Sequence, residues 1–488
     1  MANDYLNRIA AKPKAFQVLP VELNQEIASN LTNDKDLVNF RAACRAARDA
    51  IDDQDSSWFK RFTQLYDYPA NLHKNSPGYK AKIRKLYQKR SKYLVRSPPH
   101  FKTGCTQREE DTLKMVAELI NDSYNSSSSV HNTFINGQKQ LTSKNIEAFK
   151  DFISRSDIID NIFRPRPSSR KPKKDDGEDE KEPQYSPLLA AIQILCIPTI
   201  LKEPRNLYGF PDSQKEAYST IVKAPIFGGF NKLEINMVWL LHVMNFFKYH
   251  IGNAGENTLF EPFGKLERAE KPFYWQGPIH NGPQELGVHW KGTYAYLDRD
   301  EMKAIRSGNP HNQLLMDRNV DHGNSAIQTM NIDIPETHEF PWPASFERHL
   351  QSITPPKPAR TRAQHRSDVD DSFMYERINQ RFQATGYDDE DFHAAGWLNE
   401  LPNQQGIAGW KRMTMMKYFE DGQGGWDGNA LWAYEGVVLP GGQIMLGRWW
   451  SPEVAVPGRE VYTGPFIFWN TDAACDLIDC DLHGINDP

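Results

Sequence analysis

Cysteine is scarce, with five in 488 residues, in odd number and at irregular positions: Cys44, Cys105, Cys196, Cys475 and Cys480. That argues against a disulfide framework and for a reducing compartment, cytoplasm or nucleus. An excess of either charge is also missing. Lys and Arg total 58 against 63 Asp and Glu, for a formal net charge of -5 and a pI near 6.3, which leaves no global electrostatic footprint for nucleic acid or an anionic membrane. Neither is expected as a partner. Long apolar runs are lacking: Leu188 to Leu201 and Ile235 to Phe247 are too short to span a bilayer and are interrupted by Pro198, His242 and Asn245. Buried core helices are expected instead. The opening MANDYLNRIAAKPKAF has no apolar h-region, so secretion is not expected.

Catalytic signatures are equally scarce. No GxSxG, HExxH or Walker loop occurs, and the glycines from Gly422 to Gly428 read as a strand-connecting turn. Cys44 lies on an apolar helix face and Cys196 in an apolar run, where burial raises a thiol's pKa, so neither reads as a reactive nucleophile. CDLIDCDLH brings Cys475, Cys480 and His483 together without a fourth ligand or a familiar zinc spacing. His280, His289, His311 and His322 read as surface histidines. No catalytic residue, metal or cofactor is expected.

The length suits two or three domains, at about 100 to 200 residues each. A mean hydropathy of -0.67 and 32 prolines point to substantial loop or linker. The organising stretch is LPVELNQEIASNLTNDKDLVNFRAACRAARDAIDDQDSSWFKRF, Leu19 to Phe62. Pro20 supplies the φ of a first helical position and Glu22 suits the positive end of the helix dipole. Leu23, Ile27 and Leu31 form one apolar stripe. Asn33 or Asp34 can cap a second helix with a stripe of Leu37, Phe40, Cys44 and Ala47. Ala50, Ile51, Trp58, Phe59 and Phe62 supply a third helical segment.

Taken together, Leu19-Pro20, Glu22-Leu23, Ile27, Leu31, Asp36-Leu37, Cys44-Arg45 and Trp58 resemble the F-box. That is the segment by which substrate receptors join SCF (Skp, cullin, F-box) ubiquitin ligases. The sequence departs from the family's pattern at Ala28 and Ala43. The resemblance implies a Skp-type adaptor as partner and, through it, a cullin and a RING subunit. It implies that Leu19, Pro20, Leu23, Ile27, Leu31 and Leu37 form or support the adaptor interface, some of them facing inward.

Beyond this F-box-like segment (15–62), Tyr79 to Leu94 and Asp111 to Ile120 predict further helices in an extension over 63–163. Lys80, Lys82, Arg84, Lys85, Lys89 and Arg90 form a basic, solvated face there. RPRPSSRKPKKDDGEDEKEP, 164–183, has no large apolar residue and is a charged linker whose basic half could also serve nuclear import. An apolar, mostly helical region follows over 184–284. From about 285 the pattern turns to strands, in VHWKGTYAYL, SAIQTMNIDI, GWKRMTMMKYF, LWAYEGVV, QIMLGRWW and GPFIFW, broken by a polar insert over 354–372. The fold class is α+β, with helices followed by an antiparallel barrel or sandwich over 285–488. The WKGTY strand, the hairpin reaching LGRWWSPE and the GPFIFWNTD strand resemble the C-terminal β-barrel of F-box-only proteins of the cyclin-D-binding type. WxGxY is also loosely similar to calycin barrels, which hold small ligands.

A three-residue Pro440-Gly441-Gly442 loop sets Val438 opposite Ile444, Tyr434 opposite Arg448 and Trp432 opposite Trp450, all on one face. In that register Arg448 either meets an internal acid or anchors a peptide's polar group, flanked by Tyr434, Trp432, Trp450, Trp290 and Tyr294. With a two-residue loop, Glu435 would share its face instead. Three readings follow: a ligase adaptor with a peptide-binding barrel, an enzyme or carrier with a small ligand in the barrel, and an F-box scaffold outside cullin complexes.

Overall fold

The computed structural model describes residues 19–73, 75–125, 133–135, 138–140, 142–165, 184–229, 232–254, 259–282, 286–308, 315–320, 327–334, 343, 346–347, 350, 379–423, 425–452 and 461–472. The charged linker beyond 165, the insert over 354–372, His311, His322, Cys475, Cys480 and His483 lie outside the described residues. The chain forms two compact units, one from residues up to 98 with 118–155, the other from 99–117 with 156–488.

The first unit is mainly helical, with a short antiparallel pair of strands at Thr133–Ile135 and Gln138–Gln140: its helices are α1 (Val21–Asn30), α2 (Asp34–Ala43), α3 (Arg45–Asp52), α4 (Ser56–Leu65) and α5 (Tyr79–Arg90). The unit boundary falls inside α6 (Gln107–Asn121), and α7 (Lys144–Arg155) returns to this unit. Asn33 is the cap of α2, its side-chain oxygen accepting the Lys35 N–H at 2.9 Å. The stripe from Leu37 to Ala47 does not run along one helix. Cys44 is extended (φ -158°) and its Sγ accepts the Ala47 N–H, so α3 begins there. Leu37, Ala47, Ala50, Ile51 and Phe62 fill the core.

Arg90 corrects the sequence reading of α5, because it is buried rather than part of a solvated face. Its Nη2 reaches Asp122 at 2.6 Å, and its guanidinium lies 4.8 Å from the Tyr66 ring centroid. Arg84 likewise pairs with Asp52 at 3.1 Å and Asp55 at 2.8 Å.

The second unit contains α8 (Pro187–Leu195), α9 (Ile197–Lys202), α10 (Phe210–Ala217), α11 (Met237–Gly252), α12 (Phe260–Lys265) and α13 (Arg299–Ser307). The apolar runs expected as core helices are α8 with α9, interrupted at Cys196, and α11. Among the described residues no helix is long and apolar enough to cross a membrane. The region 184–284, separate in the sequence reading, shares a compact unit with the barrel.

The barrel is closed, eight-stranded and antiparallel: β1 (His289–Tyr294), β2 (Gln328–Asp333), β3 (Asn379–Tyr387), β4 (Asp391–Glu400), β5 (Lys411–Tyr418), β6 (Trp432–Val438), β7 (Ile444–Trp450) and β8 (Thr463–Asn470). Each strand pairs with its neighbours in sequence and β8 closes on β1, so no edge is left exposed. Alternate residues point inward, among them Trp290, Met330, Phe382, Phe392, Met413, Met415, Tyr434, Met445, Trp449, Phe466 and Phe468. Side chains fill the inside.

A half-buried histidine makes this unit acid-sensitive. His242 on α11 stacks on Phe163 at 4.1 Å between centroids and meets Ser213 Oγ at 3.1 Å, and burial lowers its pKa to about 4. The unfolded chain protonates near 6.5, so between about 6.5 and 4 it binds more protons than the fold. Stability present above pH 6.5 is therefore lost as pH falls towards 4, by about 3 kcal/mol. Urea midpoints measured across this range should fall steeply for the wild type and less for His242→Phe. Parallel curves would remove His242 as the cause.

Candidate functional site

Helix α1 carries two of the exposed large apolar residues of the first unit, Val21 and Leu23. Its buried side is formed by Asn24 and Ala28, and the Asn24 side chain donates to the carbonyls of Leu19 (3.3 Å) and Pro20 (3.4 Å). Small and polar residues thus occupy the core side, which turns the Leu23, Ile27, Leu31 stripe away from it. Leu23 is 50% exposed, Pro20 and Val21 are exposed, and Leu19, Ile27 and Leu31 are half-buried. Val38 on α2, absent from the sequence reading, is exposed as well. Leu37, only 2% exposed, faces inward beneath them. Large apolar side chains left in water mark a surface available for burial against another molecule.

The same unit holds a groove of about 710 Å³ lined by Leu65, Tyr66 and Val95 together with Arg61, Lys144 and Arg155. All three cations are engaged. Arg61 meets Asp34 at 3.3 Å, Arg155 meets Asp151 at 2.5 Å, and Lys144 Nζ donates to the Thr63 carbonyl.

In the barrel, four of the six residues expected at a substrate site do come together. Trp290, Tyr294, Trp432 and Tyr434 face inward, with Trp432 5.3 Å from Trp449 and Tyr434 5.2 Å from Phe466 between ring centroids. Arg448 and Trp450 do not join them, which overturns the expected register. Val438 pairs with Met445, Tyr434 with Trp449 and Glu435 with Arg448. The loop spans Pro440 to Gln443, with Gly441 and Gly442 both left-handed (φ 87° and 70°), and Gly441 lies so tightly against Trp275 that a side chain would collide with it. Packing against Trp275 adds one residue to the loop, and one residue flips the strand.

Arg448 therefore lies on the outer wall. Both its Nη atoms donate to the Ala224 carbonyl at 3.1 Å, and its guanidinium sits 4.5 Å from the Trp239 ring centroid on α11. Burial lowers its pKa to about 10, opposed by the charge of Glu435, whose own ion pair is with Arg412 at 2.5 Å. It braces the barrel against α11. Trp450 packs outside with Phe346, Leu350, Met416 and Ala433.

One end of the barrel holds polar groups that the sequence reading passed over. Lys417 points inward, pairs with Asp388, and lies 4.1 Å from the Phe392 ring centroid and 5.7 Å from that of Tyr294. Burial lowers the pKa of its ammonium while Asp388 opposes that shift, and the Tyr434 hydroxyl is pushed up by burial with Tyr294 and Asp388 adding to it. The signal was in KRMTMMKY, where Lys411 and Lys417 share a face with Met413 and Met415. Among the described residues no cluster of His, Cys, Asp and Glu could hold a metal ion.

A scan against models of protein families matches none of them, and searches among curated proteins and among solved structures likewise find no match.

Proposed function

We infer that this chain is a non-catalytic, substrate-recruiting subunit of an SCF-type ubiquitin ligase, holding a Skp-type adaptor at α1 and α2 and a protein substrate at the barrel. The observation that carries the reading is the exposed apolar set Pro20, Val21, Leu23 and Val38 over a filled core, within the segment that resembles an F-box. A receptor of this kind needs no reacting group of its own. It holds the substrate near a ubiquitin-charged partner and so raises effective concentration. Cys196, buried with its thiol pKa pushed up, fits such a role better than that of a thioester nucleophile.

The test uses the exposure of Leu23. Leu23→Asp places a carboxylate where water already reaches, so the fold should survive, while burying that charge in an interface should weaken adaptor capture by roughly tenfold or more. Leu37→Asp should instead unfold the unit. Co-purification with a Skp-type adaptor and a cullin, alongside thermal melts, reads both. Wild-type capture by a folded Leu23→Asp chain would remove α1 from the interface.

A further inference from the structure

The barrel end at which β3 turns into β4 and β5 leads to β6 is one-sided in charge. Residues 387–391 and 419–431 carry Asp388, Asp389, Glu390, Asp391, Glu420, Asp421 and Asp427 and no lysine or arginine. Asp388 is taken by Lys417 and Glu420 meets His393 at 3.1 Å, while Asp421 and Asp427 accept N–H groups of their own loop. Asp389, Glu390 and Asp391 stand exposed on the β3–β4 hairpin. Tyr387 and Trp426 on the same stretches belong to the outer wall, Tyr387 pairing with outward-facing Thr329 and Trp426 packing on Phe346 and Tyr418. Across the rim charges are mixed, with Arg318 paired to Asp298 and Arg299 5.6 Å from the Tyr462 ring centroid.

A separate observation comes from inside. Gln328 faces inward on β2 and is only 2% exposed, and among the described residues neither atom of its amide has a hydrogen-bond partner. Its neighbour Thr329 pairs with Tyr387, so Gln328 sits level with Asp388 at this same end. Buried amides are nearly always satisfied, and this one offers a donor and an acceptor together, the complement of a peptide group.

We propose that this mouth binds an extended basic segment of the substrate protein, Lys or Arg side chains meeting the acids of the rim and a peptide group meeting Gln328. The inference rests on the barrel being the substrate end of the chain. It uses the attraction of opposite charge between Lys or Arg and the acids of the rim.

The experiment measures fluorescence anisotropy of a labelled Gly-Lys-Ala-Arg repeat peptide and a Gly-Glu-Ala-Asp repeat on the full chain. The basic peptide should bind preferentially and weaken as salt rises. The exposed substitutions D389N, E390Q and D391N together should reduce that affinity roughly tenfold and flatten its salt dependence. Q328L should weaken it several-fold with the salt dependence unchanged. Equal binding of the two peptides, or unaltered affinity in both variants, overturns the proposal. The same preparations are scored for Skp-type adaptor capture. Intact capture without a basic-peptide preference removes this inference alone; lost capture with the preference kept removes the ligase reading and leaves the mouth.

Discussion

Replacing Arg448 by alanine will lower the stability of the barrel-containing unit by about 4 kcal/mol, because a buried hydrogen-bonded charge is removed while its partners stay buried. The Ala224 carbonyl loses two donors at 3.1 Å, the Trp239 ring loses its cation, and a void opens between β7 and α11. Arg448→Met, which keeps most of the volume and brings no charge, should recover part of the loss. Denaturant unfolding followed by tryptophan fluorescence measures this. Under conditions where the alanine variant remains folded, its affinity for the basic peptide should match the wild type. An unchanged midpoint accompanied by lost peptide binding would return Arg448 to the substrate site.

That contrast also marks how far the sequence could be read. Strand alternation and glycine-rich turns made a β region after 285 legible, and six of its eight strands stand in the patterns named from sequence. The missing pair, β3 and β4, has inward positions Phe382, Ala384, Gly386 and Phe392, Ala394, Gly396. Alanine and glycine give a weak apolar signal, and Gly386 and Gly396 are small because Phe392 and Phe382 from the facing strand occupy the space, which only the pairing reveals. Arg448 was misplaced because a turn preference is local, whereas the loop length is set by packing on Trp275. On α1 the stripe of Leu23, Ile27 and Leu31 was legible, but not its direction. A stripe usually faces the core, and here buried Asn24 and Ala28 take that side.

The largest expected effect inside the barrel comes from the pairing of glycine with phenylalanine. Phe382 faces Gly396, Phe392 faces Gly386, Phe468 faces Gly292 and Phe466 faces Gly447, each as a direct cross-strand pair. Phe466 covers two glycines, since a methyl group on either Gly436 or Gly447 would stand 2.7 Å from its ring. Phe466→Ala should therefore open a cavity costing about 4 kcal/mol. Gly447→Ala should cost about 3 kcal/mol, because the new methyl also meets the Glu435 carbonyl and the Gly436 Cα at 2.5 Å, and strands cannot part without breaking the closed ladder. The two losses share one space. With the ring gone the methyl finds room on that side, so the double variant should lose at least about 1 kcal/mol less than the sum. The backbone contact persists, which keeps it below Phe466→Ala alone. Denaturant unfolding of the four proteins closes the cycle, and strictly additive losses would show that the ring and the glycine are not packing partners.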